Sequence, residues 1–194
     1  MTIIDTIRTK EKPTVDANEM TILTFQLARQ IYGLPVTAVR QLIEMVTILQ
    51  LPQTPPSIKG IINVRGEIVP VLDLRIHFNL AYLPYQLHTP IILIETDSNL
   101  LGLIVDEVET VIENANIDNT TYNAIFNTQT NNNLSYLACT AKVNNQIIPI
   151  LNVNQILCYN EKTQLAHLIA DLTKHEQGNL IEQKQEEVQD NVEV

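Results

Sequence analysis

Two blocks of this sequence occur twice in the same order, and this repeat limits the possible folds more than any other feature. Residues 32–43 match residues 101–112 at an offset of 69 positions. Residues 67–74 match residues 146–153 at an offset of 79 positions. Two matches in one order indicate an internal duplication, so the fold should contain two similar units.

The offset grows by ten positions between the two blocks, so the second copy carries an insertion. We place the insertion in the polar stretch 114–133, because its Asn and Thr residues are too hydrophilic for a core. The copies then span about 21–80 and 90–158. Each copy has the pattern of several short strands with short helices, which predicts an all-β fold of two tandem five-stranded β-barrel lobes.

The first copy opens with two predicted strands, at 21–27 and 31–34. Pro35 suits the first position of a helix, where its missing N–H has no cost. The apolar residues that follow have helical spacing and predict a short helix: Val36, Val39, Leu42 and Ile43. The next run, 46–49, is predicted to be extended.

A hairpin follows, with strands predicted at 60–65 and 67–71 around a turn at Arg65-Gly66. Pro70 cannot donate to a sheet, so we expect it near the end of its strand or on an edge strand. Asp73 can accept hydrogen bonds from free amides and so cap a helical turn.

The ends of the chain differ from the repeat. Residues 1–18 have no periodicity, which predicts a mobile lead-in. Leucines and isoleucines at helical spacing predict a C-terminal amphipathic helix at 161–177. Residues 178–194 hold five acids against one lysine and are expected to form an acidic disordered tail.

Charge and composition argue against several classes of function. The chain has 22 Asp and Glu against 12 Lys and Arg, a formal net charge of −10, which repels nucleic acid and anionic membranes. No apolar run approaches the roughly 18 residues of a membrane span, and the N-terminus lacks the apolar stretch of a signal peptide. We expect a cytoplasmic protein with no nucleic-acid partner and no direct membrane insertion.

No group of residues in the sequence suggests catalysis, a cofactor or a metal site. The four histidines are scattered, and the five glycines are too far apart for a phosphate-binding loop. Cys139 and Cys158 lie in apolar runs, which predicts two reduced, buried thiols. Asp106, Glu107 and Glu109 are expected on the solvated face of a short helix. The sequence therefore predicts a protein that is not an enzyme.

The most specific motif is the stretch 54–75, TPPSIKGIINVRGEIVPVLDLR. It resembles the signature of the CheW family of bacterial chemotaxis coupling proteins, in which an Asn-Leu-Arg-Gly turn precedes a Val-Pro-x-x-Asp-Leu-Arg exit. Residues 32–34 and 101–106 are similar to two further landmarks of that family. The resemblance covers 21–159 and implies two tandem SH3-like five-stranded barrels.

The resemblance also implies a function in two-component signalling. It implies a non-catalytic adaptor in a membrane receptor array, which binds a CheA-type histidine kinase and the cytoplasmic tip of a methyl-accepting chemoreceptor. The family's turn residues fall on Arg65 and Gly66, and a valine of its receptor-facing groove falls on Val39. The remaining candidate interaction residues flank the turn: Ile58, Gly60, Asn63 and Val64. Val64 and Gln41 depart from the family's usual leucine and acid.

The residues alone leave the role of Arg65 open. It can pair locally with Glu67 or Asp73, or it can offer its guanidinium to a partner. The equivalent turn of the second copy, Asn144-Asn145, carries no charge, so turn formation does not need an arginine. Two other functions also stay open: an accessory CheW-like protein of a pilus-motility or phototaxis pathway, and a small-ligand-binding β-barrel.

Overall fold

The computed structural model describes residues 19–97, 99–118, 136–157, 161–163 and 165. The chain divides into two compact units, Met1–Leu157 and Cys158–Val194. In the second unit, residues 161–163 are helical. The predicted lead-in, most of the predicted C-terminal helix, the acidic tail and Cys158 lie outside the described residues.

In the first unit, the described residues form ten strands, one helical turn, α1 (Leu74–His77), and a 3₁₀ turn, Val36–Ala38. The first copy of the repeat supplies β1 (Glu19–Leu27), β2 (Gln30–Pro35), β3 (Val39–Glu44), β4 (Ile58–Val64) and β5 (Glu67–Asp73). The second copy supplies β6 (Pro90–Glu95), β7 (Leu100–Ile104), β8 (Glu107–Ile117), β9 (Leu137–Val143) and β10 (Gln146–Leu151).

The strands form two lobes, and each lobe takes strands from both copies. The first lobe is a closed barrel in the order β1-β2-β10-β9-β8, and the second is a five-stranded sheet in the order β3-β6-β7-β5-β4. The all-β prediction of two five-stranded lobes is confirmed. The copies are not separate lobes, however, because they exchange strands.

The glycines that begin the repeat lie where the copies exchange strands. Gly33 on β2 pairs in parallel with Ile150 on β10, and Gly102 on β7 pairs in parallel with Val71 on β5. An added Cβ at Gly33 would come within 2.6 Å of the Ile150 side chain. Both copies therefore keep a glycine at the position that pairs with a strand of the other copy.

Each lobe contains an equivalent seam, at which the segment after one strand pairs with the next strand along the chain. In the second lobe, Leu49 and Ile61 exchange two backbone hydrogen bonds of 2.9 Å, which connect the segment after β3 to β4. In the first lobe, the Asp118 amide donates to the Thr140 carbonyl at 2.8 Å. The repeat offsets make Leu49 equivalent to Asp118 and Ile61 to Thr140. The insertion therefore lies between residues 118 and 140, a range that overlaps the predicted stretch 114–133.

Each lobe has an apolar core of mainly aliphatic side chains. In the first lobe the cluster consists of Ile22, Ala115, Cys139, Ala141, Ile148 and Ile150. In the second lobe it consists of Ile62, Val69, Val71, Ile91, Leu93 and Ile104. The free thiol of Cys139 is buried, as predicted, and burial raises its pKa.

Two local predictions for the first copy were wrong. Only Val36–Ala38 is helical, and residues 39–44 form β3, which pairs antiparallel with β6. Pro70 lies inside β5, between neighbours β4 and β7, and is buried. The sheet tolerates this proline because the pairing of β5 with β7 begins only at Val71.

Asp73 caps α1, as predicted, and also holds the connection between the copies. This residue is 1% exposed, and its Oδ1 accepts from the backbone N–H groups of Arg75 and Ile76. Its Oδ2 accepts from the hydroxyl of Tyr85, which lies in the segment between α1 and β6. Burial, and then this hydrogen bond, raise the pKa of the Tyr85 hydroxyl far above its ordinary value.

We expect Tyr85→Phe to lower the free energy of unfolding by about 1.5 kcal/mol, because it removes a hydrogen bond to a buried carboxylate. Urea unfolding followed by circular dichroism measures the change. Tyr82→Phe is the matched control, since Tyr82 is exposed and should lose almost nothing. Equal stability of the two variants would contradict the role given to the Tyr85 hydroxyl.

Asp106 links the two lobes at the point where the chain passes from β7 to β8. Its Oδ1 pairs with Nε of Arg75 on α1, and its Oδ2 accepts from the Ala28 amide in the β1–β2 turn at 2.8 Å. At the equivalent corner of the other copy, Asn154 and Asp97 exchange two hydrogen bonds. Polar contacts therefore fix the lobes against each other at two corners.

Candidate protein-interaction site

The candidate site is the hairpin between β4 and β5. Val64 pairs with Glu67, which leaves Arg65 and Gly66 as a two-residue turn. Both residues have positive φ, 55° and 90°, the combination that defines a type I′ turn. The Asn63 side chain accepts a hydrogen bond of 2.8 Å from the Gly66 amide. The predicted hairpin and turn are confirmed.

Arg65 occupies a conformation that suits a different residue. The left-handed region costs an ordinary side chain about 1 kcal/mol, whereas Asn and Gly adopt it readily. The equivalent turn of the first lobe uses Asn144 and Asn145, with φ of 46° and 65°. The first lobe thus forms the equivalent turn without an arginine, so turn formation does not require Arg65.

The Arg65 side chain has no ion-pair partner among the described residues. It is exposed, and the ion pairs there join Arg40 to Glu95 and Arg75 to Asp106. The oxygens of Asp73 are taken by α1 and Tyr85. The local pairing of Arg65 with Glu67 or Asp73 is therefore not observed, and the guanidinium is available to another molecule.

The other predicted interaction residues are not all at the surface. Asn63 is exposed and Val64 is half-buried, so these two stand with Arg65 and Gly66 at the hairpin tip. The remaining three, which lie at the start of β3 or β4, are buried: Val39, Ile58 and Gly60. Buried residues cannot contact a partner directly in this conformation, and Val39 and Ile58 belong to the apolar core.

Gly60 allows the seam of the second lobe to form. Its φ is 138°, and an added Cβ would lie 2.1 Å from the backbone oxygen of Leu49. That oxygen accepts the hydrogen bond from the Ile61 amide that joins the seam. The family motif thus contains a glycine whose role in this structure is steric.

Leu49 was not among the candidate residues predicted from the sequence. It lies beside β4 with a side chain that is 61% exposed, and Val46 in the same segment is also exposed. The pattern 46–49 suggested only extended structure. Comparing the two copies could have drawn attention to this residue, because the second copy has a charged residue, Asp118, at the position aligned with Leu49.

The described residues show no arrangement that would hold a metal. No three His, Cys, Asp or Glu side chains within the described ranges are grouped closely enough. No helix in the described part of the chain is long and apolar enough to span a membrane. A cavity of about 30 Å³ beside Asp73, Arg75, Tyr85 and Asp106 has room for about one water molecule.

Comparison with known proteins decides the family. A model of the CheW-like domain matches residues 21–161, most of the chain. The chain belongs to the CheW family. The resemblance seen in the motif at 54–75 is therefore confirmed.

Curated relatives from several bacteria carry the CheW name. The chemotaxis protein CheW of Klebsiella aerogenes is 32% identical over 90 residues, covering 46% of this chain and 54% of that protein. The CheW of Helicobacter pylori is 25% identical over 134 residues, covering 69% and 78%. Protein PilI of Pseudomonas aeruginosa is 29% identical over 84 residues, covering 43% and 47%. In the first two curated CheW matches the aligned segment spans 54% and 60% of the relative.

A solved structure of the CheW family has the same fold. The scaffolding protein TtCheW from Thermoanaerobacter tengcongensis superposes with a TM-score of 0.64 at 29% identity, covering 74% of this chain and 95% of that one. This match confirms the predicted two-lobed CheW architecture.

Proposed function

We propose that this CheW-family protein is a non-catalytic adaptor that couples the cytoplasmic tip of a chemoreceptor to a CheA-type histidine kinase. It would work in the cytoplasm, within arrays of membrane receptors, and would use the Arg65 hairpin as part of its binding surface. The observation that carries the proposal is Arg65 itself, which is exposed, without an ion-pair partner among the described residues, and held in a conformation better suited to Asn.

Arginine suits such a surface for physical reasons. Its planar guanidinium can form two parallel hydrogen bonds with one carboxylate, and arginines are enriched among the residues that dominate binding energy. The hairpin is anchored by the β4–β5 ladder and by the Asn63 hydrogen bond, so the arginine is presented from a rigid support. Family membership supports both partner classes.

We expect Arg65→Glu to weaken binding to at least one of the two partners at least tenfold, about 1.4 kcal/mol, because it replaces attraction to a carboxylate by repulsion. Sedimentation with receptor tips and a CheA-type kinase from the same organism measures each affinity separately. Lys142→Glu is a matched control, since this exposed lysine precedes the equivalent hairpin of the first lobe. Unchanged binding of Arg65→Glu to both partners would refute the role of the hairpin. Failure of the unaltered protein to bind either partner would refute the adaptor function.

Two alternatives are separated by further observations. An accessory CheW-like role in a pilus-motility or phototaxis pathway is the second candidate, and a pull-down from the native cell would name the pathway. A small-ligand-binding barrel is disfavoured at the cavity beside Asp73, whose volume of about 30 Å³ is far below the roughly 300 Å³ of a ligand pocket.

A further inference from the structure

The connection between the two copies lies beside the ion pair that links the lobes. We call this connection, residues 79–89, the strap. Pro84 and Tyr85 of the strap line a small cavity together with Arg75 and Asp106. The side chains of Arg75 and Asp106 are only 13% and 15% exposed. The strap therefore helps to keep water away from this ion pair.

One side chain fastens the middle of the strap. At the start of the strap, the Leu80 amide donates to the Arg75 carbonyl at 2.7 Å. The next four residues, 81–84, are exposed and make no hydrogen bond with any described residue. The Tyr85 hydroxyl then donates to the carboxylate of Asp73, which is buried. Tyr85 is therefore the point at which the middle of the strap is held.

The exposed side chains of the strap would lose little if the strap lifted. Leu87 is 86% exposed, Tyr82 58% and Leu83 52%, so they bury little apolar surface in the closed position. Segments with few buried apolar contacts open locally at a much smaller free energy than global unfolding requires. The interactions that keep the strap closed are therefore concentrated at Tyr85.

We infer that the strap is a lid over the Arg75–Asp106 ion pair, that Tyr85 holds this lid shut, and that its opening loosens the link between the lobes. Water admitted by the open strap raises the effective dielectric constant around the pair and weakens its attraction. An ion pair in water contributes little to stability, whereas the partners of a nearly buried pair depend strongly on each other. Asp106 also accepts from the Ala28 amide in the β1–β2 turn, so a change at the pair reaches the first lobe.

Hydrogen exchange followed by NMR on the full chain tests this inference. Tyr85→Ala removes the ring and the hydroxyl, and Tyr85→Phe removes the hydroxyl alone. We expect Tyr85→Ala to accelerate exchange of the Arg75 Nε–H and of the Ala28 amide at least tenfold, and Tyr85→Phe at least threefold. Each rate is divided by that of the Ala141 amide, in the buried β9–β10 ladder, which removes the effect of a general loss of stability.

Leu87→Ala is the matched control for both variants. It shortens a side chain of the same strap that is already 86% exposed and that makes no hydrogen bond to Asp73. Its exchange rates at Arg75 and Ala28 should stay within twofold of those of the original protein.

A double-mutant cycle measures the shielding of the ion pair directly. The cycle combines Arg75→Met with Asp106→Ala, once in the original protein and once in Tyr85→Phe, and follows urea unfolding. We expect the coupling of the two side chains, expressed as a ratio of unfolding equilibrium constants, to fall at least fivefold in Tyr85→Phe. Added salt of about 1 M should reduce the coupling further in Tyr85→Phe and leave it almost unchanged in the original protein. A lost hydrogen bond alone would lower stability without changing the coupling of another pair.

Three results would overturn the inference. The first is unchanged exchange at Arg75 and Ala28, relative to Ala141, in both Tyr85 variants. The second is an acceleration in Leu87→Ala as large as that in Tyr85→Phe, because the strap would then not be held at Tyr85. The third is an unchanged coupling in Tyr85→Phe, because water would then reach the pair independently of the strap. If Tyr85→Ala does not fold, the Tyr85→Phe measurements decide. All measurements use the protein alone, so their outcome is independent of the proposed adaptor function.

Discussion

Replacing Gly60 by alanine is expected to lower the free energy of unfolding by at least about 3 kcal/mol. The new Cβ would lie 2.1 Å from the Leu49 oxygen and 2.8 Å from the Leu49 carbonyl carbon, both backbone atoms. The backbone at Gly60 also has φ of 138°, which a residue with a side chain rarely adopts. Relief of the contact would move Leu49 away from Ile61 and break the two hydrogen bonds at the seam. Overpacking and backbone strain therefore act together.

The Gly66→Ala variant separates the contribution of backbone strain from the contribution of overpacking. Gly66 has φ of 90°, but no atom lies within 4 Å of an added Cβ. This control should lose only the strain of a left-handed alanine, about 1 kcal/mol. Urea unfolding of the original protein and both variants gives the comparison. If Gly60→Ala were no less stable than Gly66→Ala, the seam would not depend on the close approach at Gly60.

The segment after Pro35 shows why local pattern alone gave the wrong element. Val36, Val39, Leu42 and Ile43 fit a helical stripe, but residues 39–44 gain a full antiparallel ladder with β6 by becoming a strand. That partner lies in the other copy, some fifty positions away. Tertiary pairing outweighs helix propensity, which is weak over so short a stretch.

The exchange of strands between copies could not be predicted from sequence for a related reason. Equivalent strands of the two copies have the same alternation of apolar residues. A strand can therefore pair with a partner from its own copy or from the other copy without any change in this pattern. The repeat nevertheless predicted the number of strands and their equivalence. It also gave a stretch for the insertion that overlaps residues 118–140, because offsets can be counted without knowing which strands pair.

The candidate site was predictable in part. The motif around Arg65 predicted the turn, its glycine and an exposed charge, because turn chemistry is local. Asp106 was expected on a solvated helical face, yet it lies between β7 and β8 in a nearly buried ion pair with Arg75. Arg75 is thirty-one positions away, and only the folded chain brings the two together. A single sequence therefore gives little indication of which distant residue a charged side chain will pair with.

Asp106→Ala is expected to lower the free energy of unfolding by about 3 kcal/mol. The pair with Arg75 has side chains only 15% and 13% exposed, and removal of one partner leaves a charge that water can barely reach. The Ala28 amide loses its acceptor as well, in a turn whose residues Ala28 and Arg29 both have positive φ. One carboxylate thus stabilises an ion pair and a strained turn in different lobes.

The corner at Asp97 supplies the control for this variant. Asp97→Ala removes an exposed carboxylate that bonds to Asn154, and it should lower the free energy of unfolding by less than about 1 kcal/mol. Replacing Arg75 by methionine in the Asp106→Ala protein should restore part of the lost stability, because the uncompensated charge is then gone. A double variant less stable than Asp106→Ala would show that Arg75 contributes through packing rather than through its charge. Apolar contacts of Arg75, and not its ion pair with Asp106, would then link the two lobes at this corner.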